Sequence, residues 1–269
     1  MNIYSISKKG RRDQNEDAET IYINCNNTDQ NCAKVNLYGV YDGHGGKFVS
    51  RFLAQNLPRY FIDKNTKYPL SGRYVRNTFK ELQAKLEKDH DEHADFCGST
   101  CLLTVDYIYE KRRFIDVLNL GDSRCVISRH NKANVVTKDH KPHWPEELVR
   151  IKSLGGEITF DGYDWRIQDL SVSRAFGDIS AEPYVTHLPD MYKYKITNDD
   201  KFMVIACDGL WDVCSNQDVA NFVLENCYDL KNNTRINKHI NIAKKLGEFA
   251  IQTKGSGDNI TIIVVFFDK

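Results

Sequence analysis

Five apolar runs in this chain each deliver a carboxylate at the same kind of position. LYGVYDGHGG sets Asp42 behind Leu37–Tyr41, FMVIACDGLWD sets Asp208 behind Phe202–Cys207, and VLNLGDSR sets Asp122 behind Val117–Leu120. GSGDNITIIVV puts Asp258 just ahead of the last run, and NEDAETIYI puts Glu16 and Asp17 just ahead of an early one. One such acid is a turn residue, because aspartate accepts hydrogen bonds from nearby backbone N–H groups. Five alike suggest convergence on one edge, if the runs are strands of one sandwich. Converging carboxylates repel and take up protons unless a cation sits among them. The donors are all oxygen, which favours Mg²⁺ or Mn²⁺ over zinc or copper. Glycine after Asp42 and Asp208 allows close backbone approach, and the Gly43 carbonyl is itself a candidate ligand.

The elements that must position these acids are legible from periodicity. Apolar or β-branched runs occur at Thr20–Asn24, Val35–Tyr41, Ser99–Tyr109, Phe114–Asn119, Cys125–Ser128, Asn134–Thr137, Lys201–Cys207 and Asn259–Phe267. Helical spacing occurs in Tyr74–Lys88, where Val75, Phe79, Leu82 and Leu86 make one stripe, and at Lys47–Leu57, Pro145–Leu154, Asp218–Glu225 and Asn237–Ile251. Pro145 suits a first helical turn and Gly155-Gly156 a C-terminal cap. Asn24–Asn31 reads as a hairpin loop and Lys231–Lys238 as a polar loop between helices. The strands from Ser99 to Thr137 follow one another through short turns, so an antiparallel meander is expected. Regular β-α-β alternation is missing, so the class is α+β, antiparallel sheet covered by helices.

Lys+Arg and Asp+Glu are both 37, for a formal net charge of zero. That balance supplies neither the basic face of a general nucleic-acid binder nor a polybasic membrane anchor. Ile260–Phe267 is too short to cross a bilayer, and the N-terminus has no apolar signal core. A soluble monomer of the cytoplasm or nucleus is the expectation. The 8 cysteines include no Cys-x-x-Cys pair, and Cys97 and Cys101 on one strand face would be too far apart to bond, so reduced thiols are expected.

RRDQNED, YGVYDGHGG, CGSTC, NLGDSRCVI, TKDHKP, LSVSRAFGD, VIACDGLWDV and GSGDNITIIVV resemble, in order, the signature motifs of the metal-dependent type 2C (PPM) serine/threonine protein phosphatases. The resemblance implies a layered α-β-β-α sandwich with the metal site at one edge. It implies one catalytic domain over residues 1–269, with a small flap around 157–185. It further implies two Mg²⁺ or Mn²⁺ ions bridged by a water that attacks phosphoserine or phosphothreonine of protein substrates, with no phospho-enzyme. By motif register Asp42 would bridge both ions, Gly43 would offer its carbonyl, Asp208 and Asp258 would hold the other ion, and Glu16 and Asp17 would complete the shell. Asp122 and Asp212, with Asp208, would form a weaker third site. Arg12 would grip the phosphate through its planar fork, and His44 would protonate the leaving alkoxide.

Arg174 is expected to buttress the sheet, and Trp144, Trp165 and Trp211 to pack. The chain departs from the family pattern in the flap. DWRIQDLSVSR is one residue short before the Ser-Arg pair and lacks the usual glycine. Competing phosphatase designs are missing their residues: there is no Cys-x5-Arg loop, no Gly-Asp-x-His-Gly and no P-loop. A catalytically weak regulatory binding protein of the same fold is the alternative, disfavoured because Asp42, Asp208 and Asp258 are all present. A small-molecule phosphohydrolase using the same metals is a second.

Overall fold

The protein is described by a computed structural model covering residues 2–25 and 32–267. From residue 26 on, the expected hairpin loop Asn24–Asn31 lies outside the described residues. Ten strands carry the frame: β1 (Ile3–Lys8), β2 (Ala18–Cys25), β3 (Cys32–Tyr41), β4 (Cys101–Tyr109), β5 (Arg112–Leu120), β6 (Arg124–Arg129), β7 (Lys132–Val135), β8 (Asp190–Lys195), β9 (Asp200–Ala206) and β10 (Ile260–Phe266). They form two five-stranded sheets, ordered β1-β10-β9-β6-β7 and β8-β5-β4-β3-β2, with every pairing antiparallel.

Period-two alternation explains the layering. In β9, Met203 and Ile205 face the opposite sheet with Cys207 just beyond, while Phe202, Val204 and Ala206 face helices. In β10, Ile263 and Val265 face inward between the sheets, and Ile260, Ile262, Val264 and Phe266 face helices. Strands buried on both faces read as continuous apolar runs, which is why these two were conspicuous. Helices α1 (Phe48–Ile62) and α2 (Gly72–Ala94) cover one sheet. The stripe Val75, Phe79, Leu82 and Leu86 is buried there against Leu37, Leu103 and Val105. The other sheet is covered by α5 (Asn216–Cys227) and α6 (Ile242–Glu248). The result is the α-β-β-α sandwich.

The expected meander is split. β4–β5 and β6–β7 are hairpins, but they belong to different sheets. The chain crosses between sheets at residues 121–123, and Asp122 sits in that crossing. Two strands were not anticipated, β1 and β8, because both are half-exposed edge strands held by ladder hydrogen bonds rather than by apolar content. The Asn237–Ile251 helix starts only at Ile242, where Asn241 Oδ1 accepts the Lys244 amide at 3.0 Å; Asn237 itself is left-handed. The loop before it carries a short ladder, Tyr228–Asp229 with Thr234–Arg235. Helix α3 (Pro145–Ser153) begins at its proline, and the Gly156 amide closes its end on the Ile151 carbonyl at 3.0 Å.

The region 157–185, where a flap is expected, carries a short hairpin and its own small core. Its hairpin pairs Thr159–Phe160 with Trp165–Arg166, and a satellite core of Ile151, Ile167, Val172, Ala175, Ala181 and Val185 lies beneath. Where the glycine is missing, Gln168 and Asp169 both adopt left-handed backbone, at φ 50° and 65°. They form the tight turn between Ile167 and Leu170, whose amides and carbonyls pair at 3.0 and 2.9 Å. Among the described residues no helix is long and apolar enough to cross a membrane, and Cys25, Cys97, Cys101, Cys125, Cys207, Cys214 and Cys227 are free thiols.

Candidate active site

One edge of the sandwich opens into a cleft of about 740 Å³. Asp42 reaches it from the end of β3, Asp208 from the first residue of the four-residue helix α4 (Asp208–Trp211), Asp122 from the sheet crossing and Asp258 from the loop before β10. Glu16, Gly43, His44, Asp212 and Arg12 line the same cleft; Arg11 does not. Asp17 lies behind it, 7% exposed. The carboxylate oxygens of Asp42, Asp122 and Asp208 fall within 4.8 Å of one another. So do ligand atoms of Asp17, Asp42 and Cys207, which makes Asp42 the shared member of both groups. Every acid singled out in the sequence except Asp17 lines this cleft, and Asp17 meets Asp42 behind it, though the spacing alone could not bring them there.

Two devices bring the loops together. Gly209 is in such close backbone contact with the Asn259 carbonyl that any Cβ would collide, which holds Asp208 beside Asp258. Asn259 then staples the N-terminal loop. Its Oδ1 accepts the Glu16 amide at 2.8 Å, and its Nδ2 donates to the carbonyls of Lys9 and Gln14, each at 2.9 Å. Asp42 is fixed by its own amide, which donates to Thr100 Oγ1 at 3.2 Å, and by its carbonyl, which accepts the Thr100 amide at 2.9 Å.

The electrostatics are those of a site short of cations. Nine carboxylates line the cleft against Arg12, Lys141 and Arg166. Loss of water raises the Asp42 carboxyl well above the usual range, and the charges of Asp208, Asp17 and Asp122 push it further. Burial, then Asp122 and Asp212, do the same to Asp208. Asp17 is pushed up to about 6, chiefly by burial and against a 2.6 Å hydrogen bond from Thr261 Oγ1. Burial also raises Asp212, opposed by Lys141.

Two of these three cations, Arg12 and Lys141, sit on cleft acids. Arg12 Nη2 is 2.8 Å from Asp258 Oδ2, with the Arg12 side chain 63% exposed. Lys141 Nζ is 2.5 Å from Asp122 Oδ2 and 3.6 Å from Asp164 Oδ2. Burial alone would lower the Lys141 pKa, but Asp122, Asp208 and Asp164 hold it above the ordinary lysine value. Sequence reasoning passed over Lys141, Asn259 and Asp164. Lys141 stood in TKDHKP and Asn259 in GSGDN, yet neither motif says which acid its side chain would meet.

The donor set fits hard divalent cations. Asp17 Oδ1 is buried and has no hydrogen-bond partner among the described residues, and the grouped ligand atoms are carboxylate oxygens save for Cys207. Cys207 Sγ instead accepts the Thr261 amide at 3.1 Å.

Away from the cleft floor, Arg174 contacts Glu147 Oε1 at 2.5 Å, Asp190 Oδ1 at 2.9 Å and the Leu188 carbonyl at 3.1 Å, joining α3 to β8. Trp211 is 6% exposed and donates to the Ala206 carbonyl at 2.9 Å, whereas Trp165 on the flap is 41% exposed.

Residues 2–260 match the family model described as protein phosphatase 2C. A PP2C-like domain-containing protein of Acanthamoeba polyphaga mimivirus is 42% identical over 59% of this chain and 97% of its own length. A probable protein phosphatase 2C of Arabidopsis thaliana is 39% identical over 87% of this chain, which spans 62% of that relative. Among solved structures, a serine-threonine phosphatase 2C from Toxoplasma gondii superposes with a TM-score of 0.78 over 99% of this chain and 94% of its own, at 22% identity.

Proposed function

Since the chain belongs to the protein phosphatase 2C family of serine/threonine protein phosphatases, we propose that its acidic cleft hydrolyses phosphoserine and phosphothreonine in proteins at a two-ion Mg²⁺ or Mn²⁺ centre. The observation that carries this reading is the gathering of Asp42, Asp122 and Asp208 within 4.8 Å on the floor of a cleft bordered by Arg12 and His44. A phosphate dianion could not approach nine carboxylates unless cations reversed the local charge. Asp42, Asp17, Asp208, Asp258, Glu16 and the Gly43 carbonyl would hold the two ions. Asp122 and Asp212, with Asp208, would hold a weaker third. Two hard ions held there would supply Lewis acidity toward the phosphoryl oxygens and water acidic enough to attack phosphorus near neutral pH.

The chain's own residues do the rest. The Arg12 side chain pairs with Asp258 and is largely in solvent. Asp258 would hold an ion instead, which would leave the guanidinium fork free to grip two phosphate oxygens. His44 stands at the cleft wall and gives its proton to the leaving oxygen. Its pKa is raised: burial would lower it, but the charge and hydrogen bond of Asp178 beside it, with Asp122 and Glu16, outweigh burial.

The test is hydrolysis of a phosphothreonine peptide by the purified chain, with Mn²⁺ and after exhaustive EDTA treatment. Turnover should appear with metal and vanish without it. Full activity after EDTA would refute the two-ion reading, and turnover of free phosphorylated metabolites but not the peptide would refute the substrate class.

A further inference from the structure

The structure assigns Asp178 as the positioning residue of His44, an inference that rests on reading His44 as the proton donor to the leaving alkoxide. Asp178 Oδ2 lies 2.7 Å from His44 Nε2, between side chains 2% and 28% exposed respectively. The two residues are 134 positions apart. A miniature sheet joins them: Gly43–His44 pairs with Gly98–Ser99, which pairs in turn with Phe176–Gly177. Asp178 follows directly, in left-handed backbone at φ 47°, a conformation costly for a residue with a Cβ.

Three further features hold that strained residue in place. The Asp178 amide donates to the Cys97 carbonyl at 3.3 Å, and its carbonyl accepts the Ala181 amide at 2.8 Å. The buried Gln83 of α2 clamps the preceding Gly177 on both sides, donating to its carbonyl at 3.1 Å and accepting its amide at 3.0 Å. Gly98 leaves the room in which the pair meets, since a Cβ there would collide with both Asp178 Oδ2 and His44 Nε2. A strained aspartate, a clamp and a cleared space all aim at one imidazole, and strain held by its surroundings clusters at functional sites.

The chemistry follows from which nitrogen is taken. Asp178 accepts from Nε2–H, so Nδ1 is the ring nitrogen left to serve the cleft. It also stops rotation about the broad terminal torsion of the ring. During turnover the P–O bond to the serine or threonine oxygen breaks and that oxygen takes the Nδ1 proton. The attacking water gives up a proton to solvent, and the ring is recharged from solvent. Asp178 neither gains nor loses a proton. It orients the donor, as a carboxylate orients the histidine of a serine hydrolase triad.

The experiment compares Asp178→Asn, His44→Gln and the double variant, all loaded with Mn²⁺, on a phosphoserine peptide and on p-nitrophenyl phosphate, whose leaving group departs unprotonated. Asp178→Asn should lose about ten- to a hundredfold in kcat on the peptide, part of the roughly 10²–10⁴-fold that general acid catalysis supplies. It should lose little on p-nitrophenyl phosphate, with an unchanged Mn²⁺ midpoint. The double variant should be no slower on the peptide than His44→Gln alone. If His44→Gln shows the substrate split while Asp178→Asn matches the wild type, slows both substrates alike, or adds to His44→Gln, Asp178 is not the positioning residue. If His44→Gln itself slows both substrates alike, the general-acid reading fails first. Should Asp178→Asn not fold, ¹⁵N NMR of the wild-type His44 ring at a pH high enough to neutralise it still decides: the proton that remains is expected on Nε2, and one remaining on Nδ1 would overturn the inference.

Discussion

Replacing Asp42 with asparagine should make the metal-free protein more stable while abolishing its activity. Asp42 belongs to both groups of ligand atoms gathered within 4.8 Å, so it neighbours Asp17 on one side and Asp122 and Asp208 on the other. Two full charges at that separation repel by about 3 kcal/mol at an effective dielectric of about 20. Proton uptake by the cluster caps the net penalty well below the sum of three such pairs. Asparagine keeps the shape and removes the charge, so a gain of about 1–3 kcal/mol is expected in EDTA. For a domain of this size that is a rise in Tm of about 2–6 °C. The sign with pH can be worked out. The folded-state pKa of Asp42 is raised above the ordinary 3.8 by burial and then by its acidic neighbours. The destabilisation is therefore absent below the ordinary pKa and grows as pH rises toward the folded one. The variant's advantage should be large near pH 8 and small near pH 4. Calorimetry in EDTA at both values measures it, and Mn²⁺ should raise the Tm of the wild type far more than that of the variant. A variant less stable than wild type near pH 8, or an equal gain at both pH values, would refute the electrostatic account.

Asp122→Ala should lose less activity than Asp208→Ala, and mostly at low metal, because Asp122 is already answered by Lys141 at 2.5 Å whereas at Asp208 burial and the charges of Asp122 and Asp212 outweigh Lys141; equal, unrescuable losses in a Mn²⁺ titration would contradict this. Glu147 is held down to about 2, since Arg174 and Arg150 outweigh the burial that would raise it, so its stabilisation is intact above its ordinary 4.5 and lost as pH falls toward 2. Glu147→Gln should cost about 3 kcal/mol near neutral pH and flatten the acid limb of urea-unfolding midpoints across that window. Gln168→Gly should raise stability by up to about 1 kcal/mol by relieving the left-handed turn residue, and an unchanged or lower Tm would show that the turn is unstrained. Iodoacetamide at modest excess should leave activity intact, because Cys101 and Cys207 are fully buried and burial pushes both thiols up; stoichiometric inactivation that substrate prevents would overturn this.

The parts of the fold that could be read in advance are those where side-chain pattern alone carries the signal. The α2 stripe of Val75, Phe79, Leu82 and Leu86 repeats at helical spacing because one face meets a sheet. β9 and β10 are apolar throughout because helices lie on one side and the opposite sheet on the other. The acids at strand ends were equally visible, since a carboxylate cannot continue a run buried on both faces. Strands β1 and β8 were hidden because an edge strand is held by backbone pairing, to which the sequence IYSISK or DMYKYK contributes little. Periodicity could not show that the chain changes sheets at Asp122, because a hairpin turn and a crossing use the same short polar residues. The partners of the site were hidden for a stronger reason. That Lys141 answers Asp122, that Asn259 staples the loop bearing Glu16, and that Asp178 holds His44 across 134 residues depend on where separate loops end in space. Local composition sets which residues can form strands, helices and turns, but only the closing of two sheets on each other brings their loop ends within hydrogen-bonding distance.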